Sequence, residues 1–126
     1  MDAVTAILDD HRLLEELAER LSDAHGSTRA RLAAELEIRF RVHDAAEKTC
    51  VHPVLDSAEL AAEQPKAAWD FTEHVRRHIA VEERAILPVL LRAVSPDRLR
   101  ELGQDFETWR VELLDRAGLH WSVQAI

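Results

Sequence analysis

The sequence predicts an all-α protein folded as an up-down four-helix bundle. Three observations carry that expectation. Nineteen Ala and seventeen Leu stand against three Gly, four Pro and no Asn or Tyr, and Ala, Leu, Glu and Arg are the strongest helix formers. Turn-forming residues are sparse and cut the chain into four long pieces joined by short connections. Each piece repeats its apolar residues at the helical period, and four such amphipathic pieces pack most simply as a bundle.

The first piece, about 2–24, carries Val4, Ile7, Leu8, Leu14, Leu17 and Leu21 on one stripe and ends at His25-Gly26-Ser27-Thr28, a helix stop followed by an N-cap. The second, about 28–55, carries Leu32, Leu36, Phe40, Val51 and Val54. Asp56-Ser57 and Gln64-Pro65 bracket a short connection. The third, about 66–94, carries Phe71, Val75, Ile79, Ile86, Val89 and Leu90, and Pro88 should kink it by removing a backbone donor. Ser95-Pro96-Asp97 is an N-cap with Pro at the first helical position, opening the fourth piece, about 96–117, with Leu99, Leu102, Phe106, Trp109 and Leu113 inward and Gly118 as C-cap.

Composition narrows the function. At 126 residues and 47% apolar content the chain is one domain, residues 1–126, able to bury its own core. One Cys excludes a disulfide scaffold. No apolar run approaches the ~20 residues of a membrane span. The opening MDAVTAILDDH has no base before Arg12 and does not read as a signal peptide. With the lone Cys50, this fits a cytoplasmic location. A net charge of −8 repels nucleic acid and anionic membranes alike. Seven His are unusually many for this length.

Several of those His fall inside the apolar stripes. His11 lies among Val4, Leu8 and Leu14. His43 and Glu47 share a face with Leu36, Phe40 and Val51, and His78 and Glu82 share one with Phe71, Val75 and Ile86. Each His/Glu pair is spaced i,i+4 and so projects in one direction. His74 sits one turn before His78. The pairs belong to a repeat: residues 43–55 align without gaps on residues 78–90, with six of thirteen positions identical, among them His, Glu and Pro. Counting from the turns, with consecutive helices antiparallel, puts His11, His43 and His78 at one level and Glu47 with His74 in the next. Burying two carboxylates among imidazoles costs several kcal/mol for each unpaired charge, on the order of the penalties seen for buried ions. A cation removes that cost, and a His/carboxylate set without thiolate suits Fe, Mn or Zn. The alternative is an inert bundle with buried His–Glu hydrogen bonds.

Asp10-His11, then His43-x-x-x-Glu47 closing on Pro53, then His78-x-x-x-Glu82-Glu83 closing on Pro88, resembles the hemerythrin-like HHE cation-binding domain; the segment SPDRLRELG is similar to that family too. The resemblance spans residues 7–55 and 70–103. It implies a hemerythrin-like four-helix bundle holding two irons, with His11, His43, Glu47, His78 and Glu82 at the matching positions, and binding dioxygen, nitric oxide or peroxide. The chain departs from the family between the two motifs, where the family places a further helix with its own ligand His. That helix is missing here. His74 is the expected replacement ligand, and Glu112 counts close to level with His78 but flanks the apolar stripe. In the family the two motif helices run parallel, whereas a ten-residue link, reaching about 33 Å at most, favours antiparallel neighbours. A mononuclear site and a homodimer that restores the missing wall are the corresponding alternatives.

The remaining candidates have ordinary readings: His25, His52 and His120 in turns or the tail, Asp44 and Glu83 facing solvent, Cys50 in the core, and Trp69, Trp109 and Trp121 as packing anchors. The order His before Glu at a spacing of four excludes a Glu-x-x-His carboxylate bundle, and His-Glu-x-x-His is absent. Three functions remain: a non-haem iron protein binding or sensing a diatomic ligand, an iron enzyme decomposing peroxide or oxidising a small molecule, and an interaction bundle with a vestigial site.

Overall fold

A computed structural model describes residues 1–55 and 70–119. The chain forms α1 (Ala3–Asp23), α2 (Gly26–Cys50) and a short 3-10 turn (His52–Val54). A third rod follows: α3 (Phe71–Val81), one π-helical turn (Glu82–Ile86) and α4 (Leu87–Ala93). The fourth rod is α5 (Pro96–Arg116). The protein is an all-α four-helix bundle, as its periodicity predicts.

Local signals set the helix ends. Asp2 caps α1 by accepting from Thr5 N–H at 2.8 Å, Asp70 caps α3 by accepting from Thr72 N–H at 2.8 Å, and Ser95 caps α5 by accepting from Arg98 N–H at 3.2 Å. At the far end of α5, Gly118 takes φ +78°, and Leu119 N–H returns to Leu114 C=O at 2.9 Å. This is the paired closure that a left-handed glycine permits. The interruption expected at Pro88 takes the form of the wide turn just upstream, where Leu87 N–H reaches back five residues to Glu82 C=O. Pro88 has no N–H and crowds the carbonyl four residues before it, and the widened turn accommodates both effects.

The core divides into two apolar clusters. One gathers Ala3, Ala6 and Ile7 from the start of α1, Ala46 and Val51 from the end of α2, Leu87 and Leu90 from α4, and Leu99, Leu102 and Phe106 from the start of α5. The other gathers Leu14, Leu17, Ala18 and Leu21 from the end of α1, Leu32, Leu36 and Phe40 from α2, and Val75 and Ile79 from α3. These memberships fix the directions of the rods. α1 and α2 are antiparallel, but the third rod runs parallel to α2, and α5 runs parallel to α1. The antiparallel pairing expected of the two motif helices is therefore corrected. The described helices end at Cys50 and resume at Phe71, earlier and later than expected, and the intervening 3-10 turn ends at Val54. Fifteen chain steps from Leu55 to Asp70 reach about 50 Å, more than the roughly 38 Å length of α2, so the residue count permits a parallel return. Residues 56–69, which include the expected bracket and Trp69, lie outside the described residues, as do His120 and Trp121.

Two inward expectations also change. Phe71 is 37% and Trp109 38% exposed, while Leu114 is buried. The inward line of α5 runs through Leu99, Leu102, Phe106, Arg110 and Leu114, so an arginine stands where a tryptophan was expected to anchor the core.

Candidate metal centre

Between the two apolar clusters lies a polar layer. His11, His43 and Glu47 are fully buried, Glu82 nearly so, and His78 is half-buried. Each residue offers one ligand atom, and these five atoms lie within 4.8 Å of one another. Donors each about 2.1 Å from a shared ion are at most about 4.2 Å apart, so a shift of under about 1 Å would seat one cation among them.

Parallel rods explain why the layer forms. Residues 35 apart in the repeat lie side by side, and the His43 and His78 rings are 5.7 Å apart at nearly right angles. Glu47 and Glu82 are level for the same reason. His11 enters from α1, with its ring 5.0 Å from that of His43. His74 stands outside the group. With the rods parallel it lies a turn away from Glu47 rather than level with it, and its ring packs edge-on against Phe40 at 5.5 Å. Glu112 is exposed and pairs with Arg116.

The histidines are oriented from behind. His11 Nδ1 lies 2.7 Å from Glu83 Oε2, and His43 Nδ1 lies 2.7 Å from Asp10 Oδ2. A carboxylate only accepts, so each Nδ1 donates to its outer carboxylate, and Nε2 faces the inner carboxylates, donating to them when protonated and open to a cation when not. His11 Nε2 then meets Glu82 Oε1 at 2.7 Å. His43 Nε2 meets Glu47 Oε1 closely and Glu82 Oε1 at 3.4 Å. Outer carboxylates that hold the remote nitrogen of an imidazole are the usual second layer of a metal site. Asp10 and Glu83 were both missed in the sequence, Glu83 having been expected to face solvent. Asp10 had left a signal, since it continues the inward line Ala3, Ala6, Ile7, Leu14.

The inner carboxylates lack what the outer ones have. Asp10 Oδ1 accepts from Arg110 Nε at 2.8 Å, and Glu83 pairs with Arg12. Among the described residues no arginine pairs with Glu47, whose Oε2 has only His52 Nε2 beside it, at 3.3 Å. Both its oxygens, and His78 Nε2, are buried without an aligned hydrogen bond. His43 Nε2 is close to Glu47 Oε1, but off the direction a hydrogen bond requires. His78 Nε2 stands 3.6 Å from Glu47 Oε1 and 3.7 Å from Glu82 Oε1. Close but misaligned lone-pair atoms converging on one point are what ligands of a common cation present, whereas native interiors seldom leave such atoms orphaned. The residues fit a metal ion.

Without a cation, protons carry the charge balance. Burial alone would push the His43 pKa down, but the Glu47 charge beside it and its contacts with Asp10, Glu47 and Glu82 raise it well above its ordinary value. Burial would raise Glu47, but the positive charge of His43 holds it well below the carboxylate range. Asp10 is likewise pulled down, against its burial, by His43 and Arg110.

No family model, curated protein or solved structure matches the chain.

Proposed function

We propose that the chain holds one divalent cation, iron ahead of manganese or zinc, and presents it to a small ligand such as dioxygen, nitric oxide or peroxide. The observation that carries this reading is the convergence of three imidazoles and two carboxylates with orphaned buried atoms. Charge supports the valence. The outer acids are each paired with an arginine and the imidazoles are neutral as ligands, so Glu47 and Glu82 leave −2, which a divalent ion cancels. Imidazole and carboxylate without thiolate select iron, manganese or zinc. One ion rather than two follows from His74 packing elsewhere, which leaves five side chains to be shared. Five donors leave room for one small ligand on a six-coordinate ion, and the apolar clusters on either side disfavour a large polar one. When bound, such an ion would supply Lewis acidity, and iron or manganese would supply electron transfer as well. The doubled His-x-x-x-Glu motif on parallel rods, with Asp10-His11 opposite, supports kinship with hemerythrin-like domains.

The test is anaerobic loading of untagged protein with Fe(II), desalting, and elemental analysis. About one iron per chain is expected, falling below a tenth in His43→Ala and Glu47→Gln whose circular dichroism is unchanged. Titration with nitric oxide under argon should change the optical spectrum with an end point at one equivalent. Iron that washes away from the parent protein, or that stays equally in both variants, would overturn the site.

A further inference from the structure

We propose that Arg110 is a positioning residue of this centre: through Asp10 it fixes the His43 ring with Nε2 directed at the ion. The inference rests on the metal-binding reading above and concerns a rod, α5, that contributes none of the five converging donors.

Arg110 stands on the inward line of α5, one turn after the buried Phe106, at a position that packing alone would give to an apolar residue. Its side chain is 17% exposed and donates Nε–H to Asp10 Oδ1 at 2.8 Å. The other oxygen of Asp10 accepts from His43 Nδ1 at 2.7 Å, and Asp10 itself is 4% exposed. Asp10 thus has one oxygen for each neighbour, and its two bonds lie in series between α5 and a ligand ring. A buried aspartate without the guanidinium would face the full cost of an isolated charge. Its carboxylate would then be free to turn away, and His43 would lose the acceptor that orients its ring. Arg12 and Glu83 make the corresponding arrangement behind His11, but they are 58% and 29% exposed, so water shares their work. The asymmetry assigns the larger effect to Arg110.

The probe is cobalt(II), whose visible spectrum reports ligand geometry and whose affinity is read by competition with a chelator. In Arg110→Leu and Asp10→Asn, affinity should fall about 10- to 100-fold, the range for loss of an outer partner of a metal-ligating histidine. The cobalt spectrum should change shape. Arg110→Lys, which keeps the charge, should recover part of the affinity. The double variant should lose no more than the worse single one, because both act on one ring. Leu32→Ala, in the far apolar cluster on α2 and touching neither α5 nor the relay, serves as the control: a lower melting temperature with an unchanged cobalt spectrum is expected. If parent protein binds cobalt and Arg110→Leu matches it in affinity and spectrum, the positioning role fails while the metal site stands. Additive losses, or a spectral change equal to that of Leu32→Ala, overturn it as well. Failure of the parent protein to bind cobalt or iron overturns both readings.

Discussion

At the residue scale, the centre ties protons to cation binding with opposite signs. In the metal-free chain Glu47 is depressed, so its contribution to stability is present above the ordinary carboxylate pKa and lost as pH falls through its lowered value. His43 is raised, so its contribution is present below the ordinary imidazole pKa and lost as pH rises through its raised value. Metal-free protein should therefore be most stable between about pH 5 and pH 6.5, on the reference values of the two groups. The cation needs neutral imidazole, so its contribution grows with pH. Thermal melts with and without chelator, from pH 5 to pH 8, should show a widening gap; a gap that is flat or narrows would contradict the assignment. His11, His43, Glu47, His78 and Glu82 were legible in the sequence because polar residues at i,i+4 on an apolar stripe have few other reasons to be there. Asp10 was legible on the inward line of its helix but not as the partner of His43, and Glu83 and Arg110 were not legible at all, because which charged residue turns inward depends on its partner on another rod.

At the element scale, the helices follow from local rules, and their closeness depends on one small residue. A Cβ on Gly103 would lie 2.6 Å from Met1 O and Asp2 C and 2.8 Å from Ala3 N, all backbone atoms at the start of α1. Backbone cannot swing aside as a side chain does. Gly103→Ala should therefore force α5 away from α1 and cost about 1–3 kcal/mol, despite the better helix propensity of alanine. Chemical denaturation measures this directly, and a stabilised variant would show that the contact is slack. The third rod marks the limit of what local signals encode. Its caps, its periodicity and the disturbance at Pro88 were readable, but its direction was not. Counting along an antiparallel hairpin levelled His43 with His78, as does the parallel repeat, yet it also levelled Glu47 with His74. Only the true direction brings Glu82 beside Glu47 and leaves His74 against Phe40.

At the scale of the whole molecule, the polar layer joins three rods directly and the fourth through Arg110, and it lies between two apolar clusters that each involve at least three rods. A cation there binds the folded state and has no equivalent site in the unfolded chain. Free cation at about 100 to 1,000 times its Kd should add about 2.7–4 kcal/mol of stability. For a chain of this size that corresponds to a rise of roughly 8–16 °C in melting temperature. Calorimetry of iron- or zinc-loaded protein against chelated protein gives the figure, and coincident melts would mean that no ion links the rods.

The sequence by itself determined the helices, most of their caps and the kind of atoms that meet in the core. Those depend on hydrogen bonds and side-chain periods that close within a few residues. Tertiary structure alone decided the direction of the third rod, the rotation that turns Arg110 inward, and which carboxylate stands behind which imidazole. These are relations between rods, set by how all the apolar stripes are buried together, and no local spacing encodes them.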